Sequence, residues 1–91
     1  QKMNIVFASF RDKSIANMLP EINLLGDIYL TTFDHPRARQ EDDYFIYLSD
    51  YKFNSDYKAL IKELSEKEEI ILVTGSLAFT YEVRKFLEGK K

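Results

Sequence analysis

The sequence predicts an α/β domain of Rossmann-like type, with a mostly parallel sheet flanked by helices. Short apolar runs rich in β-branched residues alternate with segments whose apolar residues recur at helical spacing. The run at 70–73 is apolar without interruption, which is typical of a central parallel strand covered on both faces. The predicted order is therefore β-α-β, an ambiguous segment, and then α-β-α.

The first third of the chain is predicted to form two strands joined by a helix. Residues 3–8 are apolar and read as a buried strand, and residues 28–33, rich in Thr and Tyr, form the second strand. Asp12 can cap the helix between them. The apolar face of this helix comprises Ile15, Met18, Leu19 and Ile22. Pro20 lacks an N–H group and clashes with the preceding turn, so we expect the helix to end or kink near residue 19.

The middle of the chain is less regular. Residues 34–37 form a loop, because Pro36 forces the residue before it into an extended conformation. The aromatic residues of 41–48 favour a strand, whereas the acidic residues at its start suit the first turn of a helix. A short third strand is predicted at 51–54.

Two helices and one strand are predicted for the last third. A helix begins at Ser55 or Asp56, and its apolar face comprises Tyr57, Leu60, Ile61 and Leu64. The strand at 70–73 leads through a turn at 74–76 into a final helix, for which Gly89 is the expected stop. The inward face of that helix comprises Phe79, Val83, Phe86 and Leu87.

The composition is that of an ordinary globular domain and excludes several functions. The chain has 91 residues, 45% hydrophobic and 31% charged, with a net charge of −2, so it lacks the basic excess of a nucleic-acid surface. It has no cysteine, which excludes disulfides and thiolate metal sites, and no apolar stretch approaches the roughly 20 residues that span a bilayer. We expect a cytoplasmic protein. The abrupt start, directly into a strand, suggests truncation on the N-terminal side of a larger protein.

Ligands of an open parallel sheet bind outside the carboxyl ends of the strands, and the loop at 34–37 lies at such an end. Arg37 can take a carboxylate with two hydrogen bonds, while Asp34 can hold that arginine or accept from an ammonium group. An amino acid carries both groups, so the pair suits an amino-acid ligand. The alternative is a surface loop with a local Asp–Arg pair.

A second candidate segment lies where the strand at 70–73 enters the final helix. Gly75 permits close backbone approach, and an anion can dock at the helix N-terminus beside Ser76. The alternative is a plain N-cap by Ser76. His35 is the single histidine of the chain, without a nucleophile or an orienting partner beside it in sequence, and no metal-ligand spacing is present.

Three segments resemble the folylpolyglutamate synthase and dihydrofolate synthase family. Residues 71–84 (ILVTGSLAFTYEVR) are similar to the family's TGSLYF-x-x-EVR end, and residues 31–38 (TTFDHPRA) are similar to its TTFD-x-PRA segment. The latter is in turn similar to the D-N-P-R motif of the murein peptide ligases, with His35 in place of asparagine. Residues 7–19 (FASFRDKSIANML) match F-x-x-x-x-DKD-I-x-x-ML. The motifs occur in the family's order and cover nearly the whole chain.

The resemblance implies that residues 1–91 are the C-terminal domain of an ATP-dependent ligase that adds glutamate to a folate or dihydropteroate carboxylate through an acyl phosphate. The family's glutamate-binding residues map onto Asp34, His35, Pro36, Arg37, Gly75 and Ser76. Asp12 and Lys13 map onto possible domain-closure contacts. No residue of this chain maps onto a catalytic group. The resemblance also favours a short helix at 41–48.

The family's ATP and Mg²⁺ are expected to bind to an N-terminal ATPase domain of the same polypeptide, because its phosphate loop and magnesium ligands are absent from these 91 residues. We therefore expect the isolated chain to bind no ATP, to be inactive, and to bind glutamate at millimolar strength or not at all. Glutamate and folate are the implied substrates, and no nucleic-acid or membrane partner is expected. The alternative is a stand-alone α/β anion-binding or interaction module without ligase activity.

Overall fold

The computed structural model describes residues 3–89, which form a four-stranded, all-parallel sheet with helices on both faces. The sequence order of the elements is β1 (Met3–Ala8), α1 (Met18–Asn23), β2 (Gly26–Thr31), the 3₁₀ helix η1 (Glu41–Tyr47), β3 (Lys52–Asn54), α2 (Tyr57–Ser65), β4 (Ile70–Gly75) and α3 (Leu77–Gly89). Within the sheet the order is β3-β2-β1-β4. The predicted fold class is confirmed.

The core consists of two layers separated by the sheet, and β1 contributes to both of them. Successive side chains of a strand point to opposite faces, so Val6 and Ala8 enter one layer while Ile5 and Phe7 enter the other. All four are fully buried. The first layer is completed mainly by α2 and α3, and the second by α1 and η1. Helices therefore cover both faces of β1, as a central parallel strand requires.

The position of β4 differs from the prediction. The apolar run at 70–73 was expected to be a central strand, but β4 lies at the end of the described sheet and pairs with β1 alone. Its residues are half-buried, apart from Ile70, which is exposed. An uninterrupted apolar run reports that both faces of a strand are apolar. It does not report how many strands lie beside it, and β1 takes the central place here.

The first helix also differs from the prediction. It begins at Met18 rather than after Asp12, and it continues through Pro20 to Asn23. Proline is tolerated there because the N–H groups of the first helical turn have no acceptor within the helix. Ile15 lies outside the helix but is still buried, and its carbonyl accepts from the N–H groups of Met18 and Leu19.

The segment predicted as a short helix at 41–48 is the 3₁₀ helix η1, which begins with a capping box between Gln40 and Asp43. It carries Tyr44 into the second core layer. The hydroxyl of Tyr44 donates to the carbonyl of Thr31 at 3.0 Å, and its ring lies 5.8 Å from that of Phe53. Burial raises the pKa of Tyr44 to about 12.

Of the two candidate caps of α2, the structure selects Asp56. Its Oδ1 accepts from the N–H groups of Lys58 and Ala59, at 3.0 and 3.1 Å. The predicted apolar face of α2 is buried, which confirms its helical spacing.

Candidate functional site

The sequence-predicted site residues lie at the carboxyl edge of the sheet, beside the end of β1. The strand that follows β1 in the chain, β2, lies on one side of it, and β4 lies on the other. The helix after β1 covers one face of the sheet and the helix after β4 covers the opposite face. The crevice created by such a reversal is the usual ligand position in open α/β sheets.

The loop after β2 is bound to the segment after β1 by backbone contacts. Phe10 and Ala38 form an antiparallel bridge. On its two sides, the N–H of Arg11 donates to the carbonyl of Arg37 at 2.8 Å, and the N–H of Arg39 donates to the carbonyl of Ser9 at 2.9 Å. The loop at 34–37 is therefore held at both the β1 and β2 strand ends.

Arg37 is presented to solvent by contacts from the segment after β1. Its guanidinium carbon lies 4.5 Å from the centre of the Phe10 ring, and its Nη2 lies 3.6 Å from Oδ2 of Asp12. The side chains of Arg37 and Asp12 remain 58% and 66% exposed, so the ion pair contributes less than about 1 kcal/mol to stability. Stacking on a ring and pairing with a carboxylate orient the guanidinium while most of it stays accessible.

The hypothesis that Asp34 holds Arg37 is wrong. Within residues 3–89 the ion-pair partner of Arg37 is Asp12, whereas Asp34 is exposed on the same loop. Asp12, predicted as a helix cap, lies several residues before α1 and is free to serve this loop instead. The other predicted role of Asp34, accepting from an ammonium group, is untested.

His35 and Pro36 shape the loop. The Nδ1 atom of His35 accepts from the N–H of Arg37 at 3.1 Å. The imidazole ring packs 4.7 Å from the ring of Phe10 and 6.0 Å from that of Phe33. His35 thus holds the backbone that carries Arg37, and Pro36 lies in the turn between them.

Gly75 and Ser76 lie on the other side of the end of β1. Gly75 has φ of 122°, and a Cβ atom at this position would lie 1.9 Å from the carbonyl oxygen of Ala8. The N–H of Ser76 donates to that same carbonyl at 3.0 Å, while its Oγ accepts from the N–H of Phe79 at 3.1 Å. The plain N-cap prediction for Ser76 is confirmed, and Gly75 has a structural role in the contact between β4 and β1.

Sequence reasoning missed two residues of this site, Phe10 and Arg39. The guanidinium of Arg39 donates to the carbonyl of Asp43 at 2.9 Å and to the carbonyl of Lys13, and it lies 5.9 Å from the Tyr44 ring. It therefore joins the segment after β1 to η1. The available signal in the sequence was a second arginine, two positions after Arg37.

A cavity of about 540 Å³ begins at His35 and runs between α2 and α3. Its walls include Phe33, Tyr57 and Phe86, with Lys58 and Lys85 at its rim. The hydroxyl of Tyr57 donates to Oε2 of Glu82 at 3.0 Å. Burial, and then this contact with a carboxylate, raise the pKa of Tyr57.

A metal-binding cluster and a membrane-spanning helix are both absent from the described part of the chain. Residues 3–89 contain no group of three or more His, Cys, Asp or Glu side chains arranged to hold a metal ion. Over the same range, no helix has the length and apolar character needed to cross a membrane.

The fold and the site define a doubly wound α/β domain that presents an exposed arginine beside the reversal of its strand order. A more particular relationship comes from its sequence. The chain is 31% identical to the dihydrofolate synthase/folylpolyglutamate synthase of Bacillus subtilis (strain 168), over 93 aligned residues that include 96% of this chain. Nearly the whole length of this chain is thus homologous to a part of that synthase, and the predicted resemblance is confirmed.

The aligned region is 22% of the Bacillus subtilis synthase, so the chain spans about one fifth of the length of this relative. No family model matches the chain. No solved structure matches it either.

Proposed function

We propose that this chain is the C-terminal domain of an ATP-dependent ligase that adds glutamate to a folate or dihydropteroate carboxylate, and that it binds and positions the glutamate. The proposal rests on the homology to a dihydrofolate synthase/folylpolyglutamate synthase. Its main structural support is Arg37, which Phe10 and Asp12 hold in an exposed position at the carboxyl edge of the sheet. The homology favours this hypothesis over a stand-alone module.

In this proposal, Arg37 binds a carboxylate of glutamate through its planar fork of N–H donors. Asp34, which is not engaged by Arg37, accepts from the amino group and directs its lone pair toward the acyl phosphate. The neutral amine then attacks the acyl carbon and the C–N bond forms. The phosphate leaves with the electrons of the C–O bond, and the nitrogen releases one proton to water. The contribution of this domain is position, because holding two reactants in register replaces a bimolecular encounter.

Residues 3–89 do not fit a nucleotide and magnesium site. Residues 3–89 offer no suitable cluster of carboxylates or histidines for a metal ion. Gly26 and Gly75, two of the three glycines in the sequence, each face a backbone carbonyl of β1 rather than forming a phosphate loop. We therefore assign ATP and Mg²⁺ to an N-terminal ATPase domain of the same polypeptide.

Steady-state kinetics of Arg37→Ala in the full-length protein test this function. Loss of charge-assisted hydrogen bonds worth about 1.5–3 kcal/mol should raise the KM for glutamate roughly 10- to 150-fold, because about 1.4 kcal/mol corresponds to a factor of ten. The KM for ATP should change less than about threefold, because Arg37 is not part of the ATP site. Arg37→Lys, which keeps the charge but not the fork, should lie between Arg37→Ala and wild type.

Lys62→Ala is a suitable control, because it removes a cation from the solvated face of α2. It should leave both KM values unchanged. Equal changes in the KM values for glutamate and ATP after Arg37→Ala, or no change in either, would contradict the proposed role of the loop.

A further inference from the structure

We propose that the cavity between α2 and α3 is a binding site for an aromatic carboxylate, whose planar ring packs against the aromatic walls and whose carboxylate pairs with a lysine of the rim. The site lies beside the proposed glutamate contact but is separate from it, because its lining includes His35 and not Arg37. The inference therefore does not depend on glutamate binding.

The cavity has the size and the lining of a small-molecule site. Its volume of about 540 Å³ lies within the range of roughly 300–1,000 Å³ that is usual for such sites. Phe33 and Tyr57 contribute buried rings to its walls, and Phe86 contributes a half-buried one. The rings of Tyr57 and Phe86 meet edge to face, with their centroids 5.9 Å apart. These walls suit a flat ring, because aromatic rings pack favourably edge to face or with an offset.

Ala78 has the smallest side chain of the lining. On α3 it shares a stripe with Tyr81, Glu82 and Lys85, because residues three, four and seven positions apart lie on one face of a helix. The family segment TGSLYF, which residues 74–79 resemble, carries tyrosine at this place. Alanine therefore leaves open a part of the cavity that a tyrosine side chain would occupy.

The rim of the cavity supplies positive charge. The Nζ atom of Lys58 lies 5.9 Å from the centre of the Tyr57 ring. The Nζ atom of Lys85 lies 5.6 Å from the centre of the Tyr81 ring. Within residues 3–89 neither ammonium group forms an ion pair. The carboxylate of the lining, Glu82, instead accepts from the hydroxyl of Tyr57 at 3.0 Å. Both lysines are therefore available to an anionic ligand.

The aromatic walls and the cations together favour one class of ligand. An apolar ring alone would leave the two ammonium groups without a partner, and an anion without a ring would not pack against the walls. A nucleotide carries a ring and phosphates, but its sugar holds them apart, whereas the ammonium groups lie 5.4–5.9 Å from ring centres of the cavity. This short separation suits a carboxylate that is attached directly to the ring.

Fluorine NMR of the full-length protein, with 3-fluorotyrosine at position 81, tests the proposal. The side chain of Tyr81 is 62% exposed, so the label can be placed without disturbing the core. 2-Naphthoate should shift the resonance with a Kd of about 0.1–3 mM, as expected for a ligand of this size at an open site. Cyclohexanecarboxylate lacks the aromatic ring and 2-naphthalenemethanol lacks the charge, so each should bind at least about tenfold more weakly. Equal binding of either compound, or tighter binding of AMP than of 2-naphthoate, would overturn the proposal.

Substitutions in the lining locate the site. Ala78→Tyr introduces the tyrosine of the resembling segment into the cavity and should weaken the binding of 2-naphthoate at least about tenfold. The double variant Lys58→Met, Lys85→Met removes both charges and should weaken it about tenfold, to the level of 2-naphthalenemethanol. Lys62→Met, on the solvated face of α2, is the matched control and should leave the Kd unchanged. The circular dichroism spectrum of each variant should match that of the wild type. An unchanged Kd in folded Ala78→Tyr, or in the double lysine variant, would overturn the proposal.

Discussion

Replacing Gly75 by alanine should destabilise the protein strongly, for reasons that are independent of any ligand. The new Cβ would lie 1.9 Å from the carbonyl oxygen of Ala8, and this oxygen belongs to the backbone of the central strand, so no side-chain rotation relieves the clash. The φ of 122° adds strain for any L-residue, worth about 1–3 kcal/mol. Backbone displacement after overpacking adds about 1–3 kcal/mol. We therefore expect a loss of roughly 2–6 kcal/mol in the free energy of unfolding.

Urea denaturation followed by circular dichroism measures this loss. Gly89→Ala is the matched control, because nothing lies within 4 Å of the added Cβ and alanine is favourable in a helix. That variant should be as stable as wild type or slightly more stable. If Gly75→Ala lost less than about 0.5 kcal/mol, the inference that Gly75 is required by the contact between β4 and β1 would be refuted.

Three further contacts can be tested by substitution. Tyr44→Phe should lower the free energy of unfolding by about 1–3 kcal/mol, because it leaves a buried carbonyl without its donor. The pKa of Tyr44 is raised to about 12 in the fold, so the tyrosine of the unfolded chain ionises first and the free energy of unfolding of the wild type should fall between pH 10 and 12. Urea titrations over this pH range should show a smaller fall in the variant. Asp56→Ala should cost about 0.5–2 kcal/mol in the same assay, whereas Ser55→Ala should cost almost nothing, since Asp56 is the cap. Phe10→Leu in the full-length protein should raise the KM for glutamate about two- to fivefold with little change in kcat, because it removes a cation–π contact of about 0.5–1 kcal/mol with Arg37. Phe10→Tyr keeps an aromatic ring and should have the wild-type KM. If wild type and both variants had the same KM for glutamate, the role of Phe10 in orienting Arg37 would be contradicted.

Local sequence patterns predicted most of the elements, because the period of the apolar residues is set by helix and strand geometry. They failed where the outcome depended on a neighbour in space. Pro20 was expected to end a helix, but its effect depends on where that helix begins, and Ile15 is buried without being helical. The edge position of β4 depends on which strand lies beside β1, which no local pattern records.

The candidate site was predicted in its location but not in its contacts. The carboxyl ends of parallel strands meet at one edge, so the loop at 34–37 could be placed from the element order alone. The partner of Arg37 could not, because Asp12 reaches it only through the bridge between Phe10 and Ala38. Asp34 is close to Arg37 in sequence, but the acid that pairs with Arg37 is Asp12, which follows the neighbouring strand β1.

The bridge between the two strand ends has a consequence for timing. A loop that is ordered only when its ligand arrives adds a search among backbone conformations to each binding event. The loop that carries Arg37 is already held by two backbone hydrogen bonds, from the N–H of Arg11 to the carbonyl of Arg37 and from the N–H of Arg39 to the carbonyl of Ser9. The backbone that carries Arg37 is therefore held to the sheet. In a ligase that closes around its substrates, the guanidinium of Arg37 would reach the reacting centre in the same step as the domain, because the loop would not have to fold separately.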